Sequence, residues 1–364
     1  MISFNDRVNY YTNNLNNKIY LTFNFNKQIC YYTDDDNLND QIYYEENGRC
    51  FHKKWIIDKD FTNEYFKNNS NDNPIIDYDI NNYVKPIIEL FNSDEYFNDK
   101  KLMVRFGDVF FDIPIPVITK TRPTINLIGS SKIVPNLKKN NENYIIYTQK
   151  NILINFDKNR HWVEPLLEVD KNDINFEDKD NKIIWRGGFT GFGWDEYTCS
   201  RPTRKTLCSK YSNHENKMID IGPVGDNPYP DIFKYNQIVK SALDIKTQLK
   251  SKFIISVEGG DVATNLKWIL YSNSVPLMPK PTMCSWLMED KLEPWIHYVP
   301  LDDNFDNLEE IYNWCLLNME KCKKISNNGK IYMEQFQDEE KEKKITNSVL
   351  KKYVDNCVIN IINN

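Results

Sequence analysis

The chain lacks an excess of positive charge, long apolar runs and paired metal ligands, and each absence removes a class of function. Its 46 Lys and Arg are outnumbered by 52 Asp and Glu, for a net charge of -6. A general nucleic-acid binder normally shows a basic face, so nucleic acid is not an expected partner. No apolar run approaches the roughly 18 residues that a membrane span needs. The opening MISFNDRVNYYTNNLNN has no apolar core of the signal-peptide kind. The expectation is a soluble, cytoplasmic protein without a membrane span. The eight Cys form no CxxC, and the four His form no HxxxH or HExxH. Structural zinc usually shows paired ligand spacing, so no metal is expected and the thiols are read as reduced and packed.

What is present is enough to fold. The 364 residues leave room for two domains of about 150 residues each. A hydrophobic share of 40%, with 13% aromatic, can build sizeable cores despite a mean hydropathy of -0.63. The abundance of Asn, Lys, Ile and Tyr reflects A/T-rich codons more than function.

The first 150 residues alternate strand-like segments, NKIYLTFNF and QICYY, with Asn- and Asp-rich loops. KLMVRFGDVFFDIPIPVITKTRP (101–123) combines an apolar strand entry, Gly107-Asp108 and a Pro-broken stretch. After the polar DKNDINFEDKDNK (170–182), strand and helix patterns alternate. Strands are predicted at 182–185, 218–221, 253–257, 275–278 and 296–299. Helices are predicted at 202–211, 232–250, 262–271 and 307–323, the last behind a capping box of Asp306 and Glu309. Such alternation implies a parallel sheet with helices on both faces. QDEEKEKK (337–344) reads as a solvated helix face or a linker.

Glycine is scarce, with 12 in the chain, yet eight fall between 187 and 260. Ligands of open α/β sheets lie at the carboxyl ends of strands, and glycine permits close backbone approach there. KIIWRGGFTGFG (182–193) leads into CSRPTRKTL (199–207), placing Arg201, Arg204 and Lys205 near a Gly-rich turn. Backbone N–H groups and arginines suit a diphosphate, although neither a P-loop nor a GxGxxG fingerprint is present. The bland alternative is an ordinary turn with surface cations. In SKFIISVEGGDVATNLKWILYSNSVPLMPKP (251–281) a strand ends at Glu258, Gly259-Gly260 turn the chain, and Asp261 is placed to cap a helix. A plain βαβ turn would look the same. In SWLMEDKLEPWIHYVPLDDNFDNLEEIYNW (285–314), Glu289 falls in a short helix and His297 in a strand, where a packed histidine is the ordinary expectation.

In order and spacing, WRGGFTG (185–191), RPTRKTL (201–207), EGGDVATNLKW (258–268), SNSVPLMP (272–279) and SWLMEDKLEPWIHYVPLDDNFDNLEE (285–310) resemble glycosyltransferase family 90. That family includes Rumi-like protein O-glucosyltransferases, capsule-associated xylosyltransferases and bacterial lipopolysaccharide-modifying members, and the bacterial type is the nearest in pattern. The resemblance implies an α/β GT-B fold of two facing Rossmann-like domains. These would be an acceptor-side domain at 1–155, a nucleotide-sugar domain at 156–330, and a helical extension at 331–364 that packs back on the first. It implies inverting, metal-independent transfer from a UDP-sugar, with glucose or xylose as the sugar, to a protein or glycan hydroxyl. UDP-sugar would be a substrate, and no cofactor is required. The implied catalytic base is Asp108. The implied donor-site residues are Arg186, Gly187, Gly188, Thr190, Arg201, Arg204, Glu258, Gly259, Gly260, Asp261, Thr264, Asn265, Lys267 and Glu289. Asn265 stands where eukaryotic and fungal members carry arginine, and Gly260 where many carry Asn. Two other readings compete. One is a non-catalytic sugar- or nucleotide-binding module on the same fold. The other is a metal-dependent GT-A transferase using Asp77 and Asp79 of IIDYDI (75–80).

Overall fold

The computed structural model describes residues 1–24, 29–33, 42–45, 56–57, 87, 89, 94–105, 116–124, 137–139, 142–144, 151–156, 158–190, 203–226 and 238–362. The chain is a mixed α/β protein with parallel sheets, and it divides into two units. One holds residues 158–338; the other joins residues 2–157 to 339–364.

In the unit formed by both chain ends, the helix Phe4–Tyr11 is capped by Ser3, whose Oγ accepts from Asp6 N at 3.1 Å. Strand Ile19–Asn24 pairs in parallel with the last strand, Cys357–Ile362, and antiparallel with Ile29–Thr33. The sheet continues antiparallel through Ile42–Glu45, Leu137–Lys139 and Glu142–Tyr144. A separate parallel pair joins Val117–Thr119 to Asn151–Leu153. Most described pairings in this unit are therefore antiparallel, unlike the all-parallel sheet expected of a Rossmann-like domain. QDEEKEKK is a solvated helix face, as expected, from Glu339 at the start of the helix Glu339–Asn356, with one exception. Glu342 turns inward and accepts from Arg7 Nη2 at 2.8 Å, while the Tyr11 hydroxyl accepts from the same nitrogen at 2.9 Å. A fully buried guanidinium needs such partners, which is why one Glu of an otherwise charged run is drawn in.

The second unit is built on a five-stranded, wholly parallel sheet. Its order is Ile219–Pro223, Asp180–Gly187, Ser251–Ile255, Val275–Met278, Val299–Pro300. In chain order this is 2-1-3-4-5, a doubly wound arrangement whose direction of winding reverses between the Asp180–Gly187 and Ser251–Ile255 strands. Strands buried on both faces read as continuous apolar runs, and every residue of Ser251–Ile255 and of Val275–Met278 is buried. Ile183, Trp185, Phe253, Ile255, Val275, Leu277 and Val299 share one core with Leu207, Cys208 and Tyr211 of the helix Arg204–Tyr211. Each large apolar side chain so buried stabilises by about 1.5–3 kcal/mol. The sheet interior therefore holds the unit together, and its polar ends can carry other chemistry.

Several expected elements differ, most of them where a tertiary contact competes with the local pattern. The helix expected over 232–250 is reduced, among the described residues, to Ile245–Gln248, which is capped by Asp244. Upstream, Lys240 N donates to Pro223 O at 2.8 Å, holding that segment along the sheet edge. The helix expected from Val262 begins at Leu266, and Asp261 does not cap it. Asn265 occupies the cap position, but its side chain turns back to the preceding strand, with Nδ2 donating to Ile255 O at 3.0 Å. The helix expected over 307–323 is two, Leu308–Leu317 and Met319–Glu334. Its capping box does not form: Asp306 pairs with Lys210, and Glu309 lies 3.0 Å from His214 Nε2. His297 lies in a turn before the strand Val299–Pro300, where its Nδ1 accepts from Glu293 N at 2.9 Å.

Candidate donor site at the carboxyl ends of the parallel sheet

Strand alternation sends Trp185 and Arg186 to opposite faces. Trp185 enters the core beneath the Arg204–Tyr211 helix. Arg186 turns toward the neighbouring edge strand. Its Nη2 donates to Asp220 Oδ1 at 2.9 Å, its Nη1 to Asp220 O at 3.0 Å and Trp185 O at 2.9 Å, and its Nε to Ser241 O at 3.2 Å. Lys182 and Lys240 also reach the Asp220 carboxylate, each at 2.9 Å. Burial pushes the Asp220 carboxyl up, but the bonds from Lys182, Lys240 and Arg186 together hold it well below the usual carboxylate range. The Arg186 guanidinium is committed to this cluster.

Arg204 opens the other junction, between the first and third strands. Nη1 donates to Gly188 O at 3.2 Å and Nε to Val257 O at 3.3 Å, so one guanidinium bridges the turns that follow both strands. The guanidinium lies 5.9 Å from the Trp185 ring centroid. Gly259 leaves room for this guanidinium: a Cβ on it would lie 2.9 Å from Arg204 Cζ and push the side chain aside. A Cβ on Gly187 would lie 2.6 Å from the Trp185 ring, so that glycine is fixed by packing. Thr190 is exposed at the end of the described turn.

Beyond Val257, a pocket opens between the ends of the third and fourth strands. Ser256, Val257, Glu258, Val262, Ala263 and Leu266 line one side, and Met278, Pro279, Lys280, Pro281 and Glu289 the other. The Glu258 carboxylate accepts from Thr282 N and Met283 N, both at 2.9 Å, and from the Thr282 hydroxyl. It acts as a clamp on the loop after the fourth strand. Glu289, in the short helix Glu289–Lys291, is buried, and its carboxylate accepts from Ser285 N at 2.6 Å and Ser285 Oγ at 2.7 Å. Burial raises its pKa, opposed in part by the charge of Lys267 and the Ser285 bonds. Lys267 is itself buried, with its ammonium 5.6 Å from the Trp162 ring centroid.

The structure thus gathers Gly187, Gly188, Arg204, Glu258 and Gly259 at one junction, with Glu289 and Lys267 behind the adjoining pocket. Asp261 is buried within the turn, where its carbonyl accepts from Gly259 N at 3.1 Å, and Thr264 is exposed. The Asn265 side chain also accepts from Ser256 Oγ at 3.1 Å, so both ends of its amide are bonded at the end of the third strand. Asp108, Arg201, Asp77 and Asp79 lie outside the described residues. The strand before Asp108 is seen as Leu102–Met103. Sequence reasoning missed the loop around Lys280, whose only signal is a lysine between two prolines. Among the described residues, no group of three His, Cys, Asp or Glu is placed to hold a metal ion, and no helix is long and apolar enough to cross a membrane.

The reversal point of a doubly wound sheet is where such folds bind nucleotides and related ligands, and the pocket adjoins it, one strand further on. The sequence model of Glycosyl transferase family 90 matches residues 152–360, which take in the whole parallel sheet. The chain is 30% identical over 259 residues to the O-glucosyltransferase LpsA of Dichelobacter nodosus, a match covering 70% of this chain and 67% of that protein. It is 27% identical over 166 residues to Uncharacterized protein 035R of Invertebrate iridescent virus 3, across 42% of this chain and 15% of the viral protein. Against Uncharacterized protein 179R of Invertebrate iridescent virus 6 the identity is 25% over 282 residues, across 67% and 23%. The chain therefore spans under a quarter of each viral relative. It belongs to glycosyltransferase family 90.

Proposed function

We propose that the protein is an inverting, metal-independent glycosyltransferase of GT-B type. It moves glucose or xylose from a UDP-sugar to a hydroxyl of a protein or glycan acceptor in the cytoplasm, with the donor held by its second domain. The observation that carries this reading is the convergence of Gly188, Arg204 and Val257–Gly259 at the reversal point of the parallel sheet, beside the pocket. In an inverting displacement the acceptor oxygen bonds to the anomeric carbon as the bond to the diphosphate oxygen breaks. The electron pair leaves with UDP, and the acceptor proton passes to a base. Positive charge at the leaving group and a carboxylate base are what this step requires. Arg204 is suited to the first role. Asp108 fills the second, on its place after an apolar strand and the family resemblance.

The decisive assay incubates the protein with a panel of UDP-sugars, scoring UDP release and the product by mass spectrometry, with and without chelator. Turnover that survives chelator is expected; strict dependence on manganese would overturn the mechanism and revive the GT-A reading. Asp108→Asn should lower turnover by about 10²- to 10⁴-fold, as for a lost general base. Donor affinity by calorimetry should hardly change. Near-normal turnover would remove Asp108 from the base role. A protein that binds UDP-sugar yet transfers to no acceptor would favour the non-catalytic module.

A further inference from the structure

The charge of a leaving diphosphate needs a cation that can reach it, and the cations around the pocket differ in what they already hold. Arg186 is committed to Asp220 and to backbone carbonyls. Lys267 is buried against Trp162 and faces Glu289. Arg204 bridges two backbone turns. Lys280 is exposed, lines the pocket, and has no hydrogen-bond or ion-pair partner among the described residues.

Its backbone, in contrast, is fixed. Pro279 and Pro281 on either side are both buried, and each holds its own φ near -65°. The loop starts where the strand Val275–Met278 ends, with Met278 O accepting from Leu301 N at 2.9 Å. It finishes at Thr282 and Met283, both bonded to the Glu258 carboxylate. Glu258 follows the third strand, so the loop of the fourth strand is tied to the turn that Arg204 also touches. With its base already rigid, only the four-carbon arm is left to order when an anion arrives.

We propose that Lys280 is a donor-binding residue whose ammonium contacts the diphosphate of the nucleotide-sugar, with Glu258 as the positioning residue that sets its loop. This rests on the donor-site reading above.

The test is calorimetry of UDP and of uridine on the full-length protein, with Lys280→Ala beside Arg204→Ala. Lys280→Ala should weaken UDP roughly 10-fold, the low end for a hydrogen bond to a charged group. It should leave uridine within twofold and leave the melting temperature unchanged. Glu258→Gln should weaken UDP by a smaller factor in the parent protein and have almost no effect in the Lys280→Ala background, which a merely structural role would not produce. UDP affinity unchanged in Lys280→Ala but reduced in Arg204→Ala would overturn the role of Lys280 and keep the donor site. Equal loss of uridine and UDP would overturn it too, by showing an effect on the nucleoside pocket or the fold. Folded wild-type protein that binds no UDP would overturn the donor-site reading itself, and this inference with it.

Discussion

The first strand of the parallel sheet ends between two junctions, and they use their cations in opposite ways. On the edge side, three cations converge on the one carboxylate of Asp220. On the central side, one arginine bridges two backbone turns next to a pocket, and glycine keeps side chains away from it. Both junctions follow the same WRGG sequence, and from sequence Arg186 and Arg204 are equal candidates for an anion. Position separates them. The Arg186 guanidinium bonds to the carboxylate and carbonyls of the sheet edge, whereas Arg204 bridges the two turns at the winding reversal, next to the pocket.

The largest effect that would sharpen this contrast is on stability at the edge. Asp220→Ala leaves three cations without their shared carboxylate. Breaking a buried pair costs about 3–5 kcal/mol, and with the Asp220 side chain 21% exposed the expectation is toward the lower end. Urea unfolding should show it, while UDP affinity, measured where the variant remains folded, should stay near wild type. Next in size is Arg204→Ala, expected to weaken UDP binding by about 1.5–3 kcal/mol, the usual range for a charged hydrogen bond. Calorimetry on Arg186→Ala is the control. If Arg186→Ala loses as much UDP affinity as Arg204→Ala while folded, the division between scaffold and ligand side fails. Gly259→Ala should act in the same direction as Arg204→Ala but more weakly, because the added methyl displaces the guanidinium without removing it.

How much of this was legible in the sequence follows from which forces are local. The strand Val275–Met278 was predicted with its observed bounds, and the first strand was found inside its true span, because buried parallel strands announce themselves as apolar runs. The turns after the first and third strands were visible through their glycines. What could not be read depends on distant partners. Lys240 holds an edge segment that patterning made helical, Lys210 draws Asp306 out of its capping box, and Arg7 pulls Glu342 into the interior from 335 residues away. At the site, Arg186 looked equivalent to Arg204 because nothing in WRGG reveals which face a residue occupies beside a strand not yet placed. Lys280 carries no motif, and only the folded loop shows what fixes it. The pairing of the first strand with the last, Ile19 beside Cys357, joins positions whose relation no local pattern encodes.

The smallest expected effect separates the two junctions by pH, because each has a carboxylate shifted in the opposite sense. Asp220, at the edge, titrates below its unfolded value, near 3.9 for an ordinary Asp. Its contribution to stability is therefore present above about pH 4 and is lost as pH falls toward the folded pKa. Glu289, at the pocket, titrates above its unfolded value, near 4.3 for an ordinary Glu. Its contribution is fullest below about pH 4 and is lost as pH rises through the folded pKa, since a buried charge is then formed. Neither slope can exceed about 1.4 kcal/mol per pH unit for one proton. Urea unfolding of wild type, Asp220→Asn and Glu289→Gln between pH 3.5 and 7 would read both. The advantage of wild type over Asp220→Asn should grow as pH rises from the acid end, and that over Glu289→Gln should shrink over the higher part of the range. Parallel curves for the two variants would mean that the carboxylates do not differ as their surroundings require, and the electrostatic contrast between scaffold and site would be lost.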